Sequence, residues 1–499
     1  MRILVFFCIF LYLAGAIQAA PTTNTTTITN DSVQAPSFTT RTLSTIIFSS
    51  VLTLFACIYS AIHPNIPSPK ESSYLHFIWR QLCMTIMALI VPELIVTWAM
   101  RQWFSAHQVT RQFESLGYPK LIICPDSEEM DFVEEPATGN CFIRFLLCLP
   151  FIRLSILLTK GALSVPVFLW RFLCAPMRWV ASCFGSEQLE SDSEDYTWTQ
   201  THSFFVLMGG FMLYVDGEPY LTLRPDYILK LIHDKCIDIP ILTANQIRDR
   251  SKGNAISKGL IMLQVAWFVL QLITRAIYHL ETTQLEVGTL AFAVLSFLSY
   301  AMWWDKPLNV RCPHPVYWKS TESRPEDHIN DTDEFAPLPI ARSIFELIGF
   351  PRIPTSQRLQ VPTFDGSITL ERPDRKVLRL AAMIMATIFG GVHCMAWSFA
   401  FPTHQEQMLW RISAIATTCT PWLCWIIYLD SEVTHSIFRC IPDLLKYVVW
   451  GAYYLTYFAC FALYVLARAV LLALMFTTLH NLPADAYKAV SWTGLVPHL

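Results

Sequence analysis

Long apolar segments with almost no charge constrain this chain more than any other feature. Residues 42–62, between Arg41 and His63, carry no charge; the same is true of 380–403, between Arg379 and His404, and of 447–467, between Lys446 and Arg468. A bilayer core of about 30 Å takes roughly 20 apolar helical residues to cross. Within lipid the backbone must satisfy its own hydrogen bonds, so such stretches read as helices. The expected fold class is all-α: a polytopic bundle of about seven spans behind an N-terminal signal segment, with two long polar loop regions. Only 15% of residues are charged, against about 25% in soluble domains.

Met1–Ala20 has one early positive charge (Arg2), an apolar run and small residues at Ala19 and Ala20, the layout of a secretory signal. The polar segment 21–41 behind it holds two glycosylation acceptors, Asn24 and Asn30, and is expected in the lumen. The expected location is the endoplasmic reticulum or a later secretory membrane. Residues 42–100 read as a first transmembrane hairpin, Thr42–Ile62 and Gln81–Met100, the second interrupted by Pro92 and carrying Glu93. A pair follows in 257–304 (Gly259–Ile277 and Val287–Trp304). Three more lie in 379–480: Leu380–Phe401, Ile412–Leu429 and Tyr447–Ala467, ahead of a tail at 481–499.

Two regions interrupt the spans. Residues 101–256 contain acidic runs that read as solvated loop. They also contain the stretch 142–180, in which Arg153, Lys160, Arg171 and Arg178 fall within about 20° of one another around an ideal helix. That pattern describes an interfacial helix drawn to anionic lipid. Phe204–Tyr214 is too short to span and includes Gly209-Gly210, so it reads as re-entrant or buried. Residues 305–378 form the second polar loop. Topology contains a conflict: Arg101, Lys252, Lys258, Lys306, Arg311, Arg375, Lys376 and Arg379 share a side that should be cytosolic if spans two to seven all cross. A lumenal start with two crossings would put that side in the lumen. Either the Pro92 segment does not cross, or an extra segment does.

Ionisable groups at membrane depth are functional candidates by default. Glu93 leads, as a carboxylic acid that apolar surroundings would keep neutral and able to donate a proton. Pro92 beside it frees a carbonyl one turn earlier, a partner for the protonated acid. Its bland alternative is an ion pair with Arg101. His393 sits mid-span, where packing explains a histidine more often than catalysis. Asp305 follows a span end, and Asp216 and Glu218 would stand at a cavity mouth if 204–214 re-enters. Tyr453, Tyr457, Phe461 and Tyr464, with Trp450, form one helical face. That face is either packing or a cavity wall that stabilises a cation. Gln264 and Gln271, seven apart, would bond across helices or line the same cavity. Phosphate-binding loops, HExxH, CxxC and nucleophile-elbow patterns are missing, so no cofactor and no metal are expected. No basic, aromatic-interleaved surface suggests nucleic acid.

The motifs HPNIP (His63–Pro67), PELIVTWAMRQW (Pro92–Trp103), THSFFVLMGGF (Thr201–Phe211), SKGLIMLQVAWFVLQ (Ser257–Gln271) and WWDKPLNVRCP (Trp303–Pro313) resemble a large fungal family of multi-pass membrane proteins. Through it the chain is similar to the membrane-bound terpene cyclases of the ascochlorin type. That resemblance implies a metal-independent enzyme of fungal meroterpenoid biosynthesis, which protonates an epoxide or alkene of an apolar prenylated substrate taken from membrane lipid. It carries over no catalytic residue. The alternative is a non-catalytic transporter, receptor or scaffold.

Overall fold

The computed structural model describes residues 38–67, 74–116, 197–251, 255–319, 325, 359, 361, 366–370, 372–437 and 443–490. The expected signal segment, the glycosylation acceptors Asn24 and Asn30, and the basic stretch 142–180 lie outside them. The described chain is mostly helical. Three helical windows are long and apolar enough to cross a membrane, Gln284–Met302, Val377–Ser398 and Leu455–His480, and Leu43–Tyr59 and Ile261–Ile277 are shorter apolar helices.

Strand β1 (Phe38–Thr40) leads into α1 (Leu43–Ala61). The Thr42 hydroxyl caps α1 by accepting from the Thr45 N–H at 3.2 Å, and the prolines of His63–Pro67 follow its end. Helices α2 (Tyr74–Ile90) and α3 (Pro92–Ser115) meet at a 109° bend. Pro92 has no N–H to continue the ladder and its ring excludes the preceding turn, so a helix stops there and a new one starts. The segment expected to cross as one span is therefore broken at its proline.

Helix α4 (Gln200–Leu207), strands β2 (Phe211–Val215) and β3 (Glu218–Thr222), and helices α5 (Pro225–His233) and α6 (Ala244–Asp249) build a compact module. The stretch Phe204–Tyr214 thus ends a helix and begins a strand. Its apolarity comes from filling this module: Phe205, Phe211 and Leu213 are fully buried. β2 pairs antiparallel with β3 through a two-residue turn. Asp216 and Gly217 both have positive φ there (50° and 84°), as a type I′ hairpin requires. On its other edge β2 runs parallel to β4 (His314–Tyr317), with Leu213 opposite Val316. These short strands depart from the all-α expectation, because alternation over four or five residues is too brief to stand out beside the spans.

Helix α7 (Ala255–Ile277) and α8 (Gln284–Met302) follow, α8 opened by a capping box in which Thr283 and Glu286 bond each other's backbone N–H. The last three helices are α9 (Arg372–Cys394), α10 (His404–Ile437) and α11 (Asp443–Thr477), and β5 (Lys488–Val490) closes the chain on β1. α9 and α10 approach closely at Gly390, where an added Cβ would lie 2.8 Å from the Thr418 Cα; small residues let membrane helices meet this way. Helix α11 continues ten residues beyond Ala467, where the last span was expected to end. Arg468 lies inside it at 0% exposure, because its charge is used within the bundle.

Candidate functional site

The helix break assembles the first group of buried polar side chains. Ending α2 at Ile90 leaves backbone carbonyls unpaired, and starting α3 at Pro92 leaves N–H groups unpaired. Arg468, reaching in from α11, donates from Nε to the Ile90 carbonyl at 2.9 Å and from Nη2 to the Leu89 carbonyl at 3.1 Å. A cation thus stands at the negative end of α2, while Glu93 occupies the first turn of α3, the positive end of that helix. The freed carbonyls go to Arg468 and not to a Glu93 acid proton, and the cation facing Glu93 is Arg468, not Arg101.

Glu93 is only 7% exposed. Its Oε1 accepts a hydrogen bond from the Tyr464 hydroxyl, one turn before Arg468 on α11. The guanidinium of Arg468 lies 3.8 Å from the Phe389 ring centroid and 5.4 Å from that of Phe292, a desolvated cation held by ring faces. Phe389 and His393 share one face of α9. The His393 Nδ1 lies 2.8 Å from the Phe389 carbonyl, so Nδ1 carries the proton and Nε2 is left as an acceptor. The His393 carbonyl in turn accepts from Trp410 Nε1 at 2.9 Å. Glu93 Oε2, Arg468 Nη1 and His393 Nε2 are all buried with no hydrogen-bond partner among the described residues.

A second group lies where α8 ends. Lys306 is 2% exposed, and its ammonium donates to the His63 carbonyl (2.6 Å), Gln102 Oε1 (2.9 Å) and Asn65 Oδ1 (3.3 Å). The Trp98 and Trp303 rings cover it, each centroid 4.9 Å from Nζ. Trp303 Nε1 adds a bond to Gln102 Oε1 at 2.9 Å. Gly366 closes the cage with φ +91°, and a Cβ there would sit 2.7 Å from Gln102 Nε2 and 2.8 Å from the Leu207 carbonyl. Burial pushes the ammonium well below the ordinary lysine value, while three acceptors and two ring faces oppose that shift. Three of the sequence motifs, at His63–Pro67, Pro92–Trp103 and Trp303–Pro313, converge on this one cation.

The other sequence candidates fall elsewhere. Asp216 and Glu218 are exposed at the tip of the β2–β3 hairpin. Asp305 is half-buried in the turn before Lys306. Gln264 donates to the Thr53 hydroxyl at 3.1 Å and so ties α7 to α1, while Gln271 is half-buried. Among the described side chains of the aromatic face on α11, Tyr464 is buried against Glu93. Tyr457 is half-buried, Phe461 is 45% exposed, and the Tyr453 side chain lies outside the described residues.

A family model, described as a family of unknown function (DUF8562), matches residues 178–330 and 365–499, more than half of the chain. The chain belongs to that family. No curated protein and no solved structure matches it. The DUF8562 segments contain Lys306, His393, Tyr464 and Arg468, whereas Glu93, Asn65 and Gln102 lie ahead of them. Both buried groups are thus built across the boundary of the matched region. The match names no activity.

Proposed function

We propose that this DUF8562 protein is a membrane-embedded enzyme that protonates an apolar substrate at Glu93, with the chemistry of a terpene cyclase acting on a prenylated aromatic. The supporting observation is the set of unused polar atoms around Glu93. An unpaired buried polar atom costs about 1–3 kcal/mol, and Glu93 Oε2, His393 Nε2 and Nη1 of Arg468, the cation that faces both, are three such atoms. Oε1 is held by Tyr464, so Oε2 is the oxygen that would face a substrate.

In the proposed reaction Glu93, in its acid form, gives its proton to an epoxide oxygen. The carbon–oxygen bond breaks as the π electrons of a neighbouring alkene form a new carbon–carbon bond. The resulting cation loses a proton from an adjacent carbon to the Glu93 carboxylate, which restores the acid and leaves an alkene. Arg468 balances the carboxylate during the interval in which Glu93 has lost its proton.

The test is product analysis in a host supplied with epoxidised prenyl-phenols. Wild type should give a cyclised isomer, and Glu93→Gln should give none at equal membrane level. Full activity in Glu93→Gln would take the residue out of the mechanism. No cyclised product from wild type across several prenylated substrates would overturn the enzyme reading. The broken α2–α3 pair favours a second reading, a solute transporter, because discontinuous helices often hold substrate at membrane depth. Solute-dependent proton movement in sealed proteoliposomes would support that alternative.

A further inference from the structure

The bundle has two polar ends that can be told apart residue by residue. At one end, here the strand end, Arg41 pairs with Glu286 at 2.5 Å and donates to the Ala486 carbonyl at 2.7 Å. Arg275 donates to the Lys488 carbonyl at 2.7 Å, and Gln284 to the Ala400 carbonyl at 2.8 Å. The start of α1, the α7–α8 turn, the α9–α10 turn and β5 therefore share this end. At the other, the lysine end, Lys306 gathers His63, Asn65 and Gln102. Ser251 bonds the Leu308 carbonyl there at 3.2 Å, and the Ile368 N–H bonds Ser105 at 3.2 Å. The end of α1, the start of α7, the end of α8 and the segment leading into α9 share this second end.

Between the ends runs a belt of exposed apolar side chains: Phe48 and Phe55 on α1, Trp79 and Ile86 on α2, Ile412 on α10 and Phe458 on α11. Among the described residues six helices connect the two ends, α1, α7, α8, α9, α10 and α11. The direction of α10 is fixed by two bonds to α9, Trp410 to the His393 carbonyl and Trp422 Nε1 to Thr387 Oγ1 at 2.7 Å. The pair α2–α3 behaves differently. Its bend sits in the bundle interior at Arg468, and five residues on from Glu93 the Trp98 ring already meets Trp303 at 4.7 Å, at the lysine end. α3 then runs outward to Ser105. α2 starts only a short connection after Pro67, and residues 68–73 stretched fully reach roughly 25 Å, less than the bilayer core of about 30 Å.

We propose that the protein crosses the bilayer six times, that α2–α3 is a re-entrant hairpin which enters and leaves at the lysine end, and that this end is cytosolic. The charges agree. Arg101, Lys258, Arg311, Arg375, Lys376 and Arg379 lie on the described segments toward the lysine end, which is the cytosolic bias. The strand-end cations are engaged internally: Arg41 and Arg275 as above, Arg411 on the Trp397 carbonyl at 2.8 Å and Lys488 on Asp485 at 2.7 Å. Six crossings put both strands of the β1–β5 pair on the lumenal side that a secretory start requires. The hairpin therefore reconciles a lumenal start with basic cytosolic loops, which seven crossing spans cannot do.

The experiment is labelling of the full-length protein in sealed microsomes with a membrane-impermeant maleimide, before and after detergent. The probes are the native exposed Cys312 at the lysine end and single substitutions Ser115→Cys, Glu281→Cys and Asn481→Cys in a Cys312→Ser background. Cys312 and the Ser115→Cys site should label fully in intact microsomes. The Glu281→Cys and Asn481→Cys sites should gain label severalfold only on adding detergent. Labelling of the Asn481→Cys site in intact vesicles would overturn the orientation. Protection at Ser115→Cys with labelling at Cys312 would show that α2–α3 crosses. Opposite results at Glu281→Cys and Asn481→Cys would overturn the count of six.

Discussion

Lys306 and Arg468 are both buried cations covered by aromatic rings and bonded to backbone carbonyls, yet their surroundings differ in one respect. Lys306 has three donors and meets three acceptors, so its ammonium is fully bonded. Around Arg468 the bonding is incomplete, with one guanidinium nitrogen, one Glu93 oxygen and one His393 nitrogen unused. A satisfied buried cation organises a fold; an unsatisfied group at the same depth keeps capacity for something that arrives. On the proposed function, the lysine cage serves the architecture and the Glu93 group the chemistry.

The largest effect that would break this contrast comes from Lys306→Met. It removes three charge-assisted bonds to buried oxygens, leaving Gln102 Oε1 with Trp303 Nε1 and Asn65 Oδ1 with Gln102 Nε2, at a total cost of about 3 kcal/mol. The thermal unfolding midpoint of the purified protein in detergent should fall steeply. Lys306→Arg should not rescue it, because a planar guanidinium does not match acceptors placed for an ammonium. A midpoint close to wild type in Lys306→Met would mean that the cage is not structural.

A smaller effect is expected from Glu93→Gln. The amide oxygen still accepts from Tyr464, so the midpoint should move by about 1 kcal/mol or less, even where the proposed activity is lost. Equal destabilisation by Glu93→Gln and Lys306→Met would erase the difference between the two sites.

The smallest effect lies in the module outside the bundle and serves as a control. His202 Nε2 lies 2.7 Å from the Leu242 carbonyl, and Nδ1 accepts from the Thr199 N–H at 3.1 Å, so the ring is neutral. Burial lowers its pKa below the ordinary histidine value. Its contribution is therefore present above the unfolded value of about 6.5 and lost as pH falls through the lower folded value. The loss of stability on acidification should be smaller in His202→Gln than in wild type, read from midpoints between pH 7 and 5. An unchanged acid response in that variant would remove His202 from the pH dependence.

The apolar helices were legible in the sequence as long uncharged runs, and Glu93 as a carboxylate inside one of them. The partners of Glu93 were not. Tyr464 lies 371 residues away, and Arg468 read as the charge that ends a span, because hydropathy counts a charge without knowing what it bonds. The lysine cage was visible only as separate motifs. His63–Pro67 and Trp303–Pro313 read as motifs that carry a resemblance, whereas folding directs both at one ammonium. The β2–β3 hairpin hid inside an apolar run, which on its own cannot distinguish a soluble core from a membrane segment.

The pairing of β1 with β5 joins residues 450 positions apart, as at Thr39 and Ala489. At 5–20 residues per second, the ribosome delivers the second strand roughly 20–90 s after the first. Until then Arg41 and Arg275 wait without the carbonyls of residues 485–488, held at the membrane surface in an unfinished protein. A chain cut short before Lys488 would lose the Arg275–Lys488 bond and the β1–β5 pairing, while Arg41 would keep Glu286 and the Ala486 carbonyl. The β1–β5 pair thus joins only after every described helix of the bundle has been made.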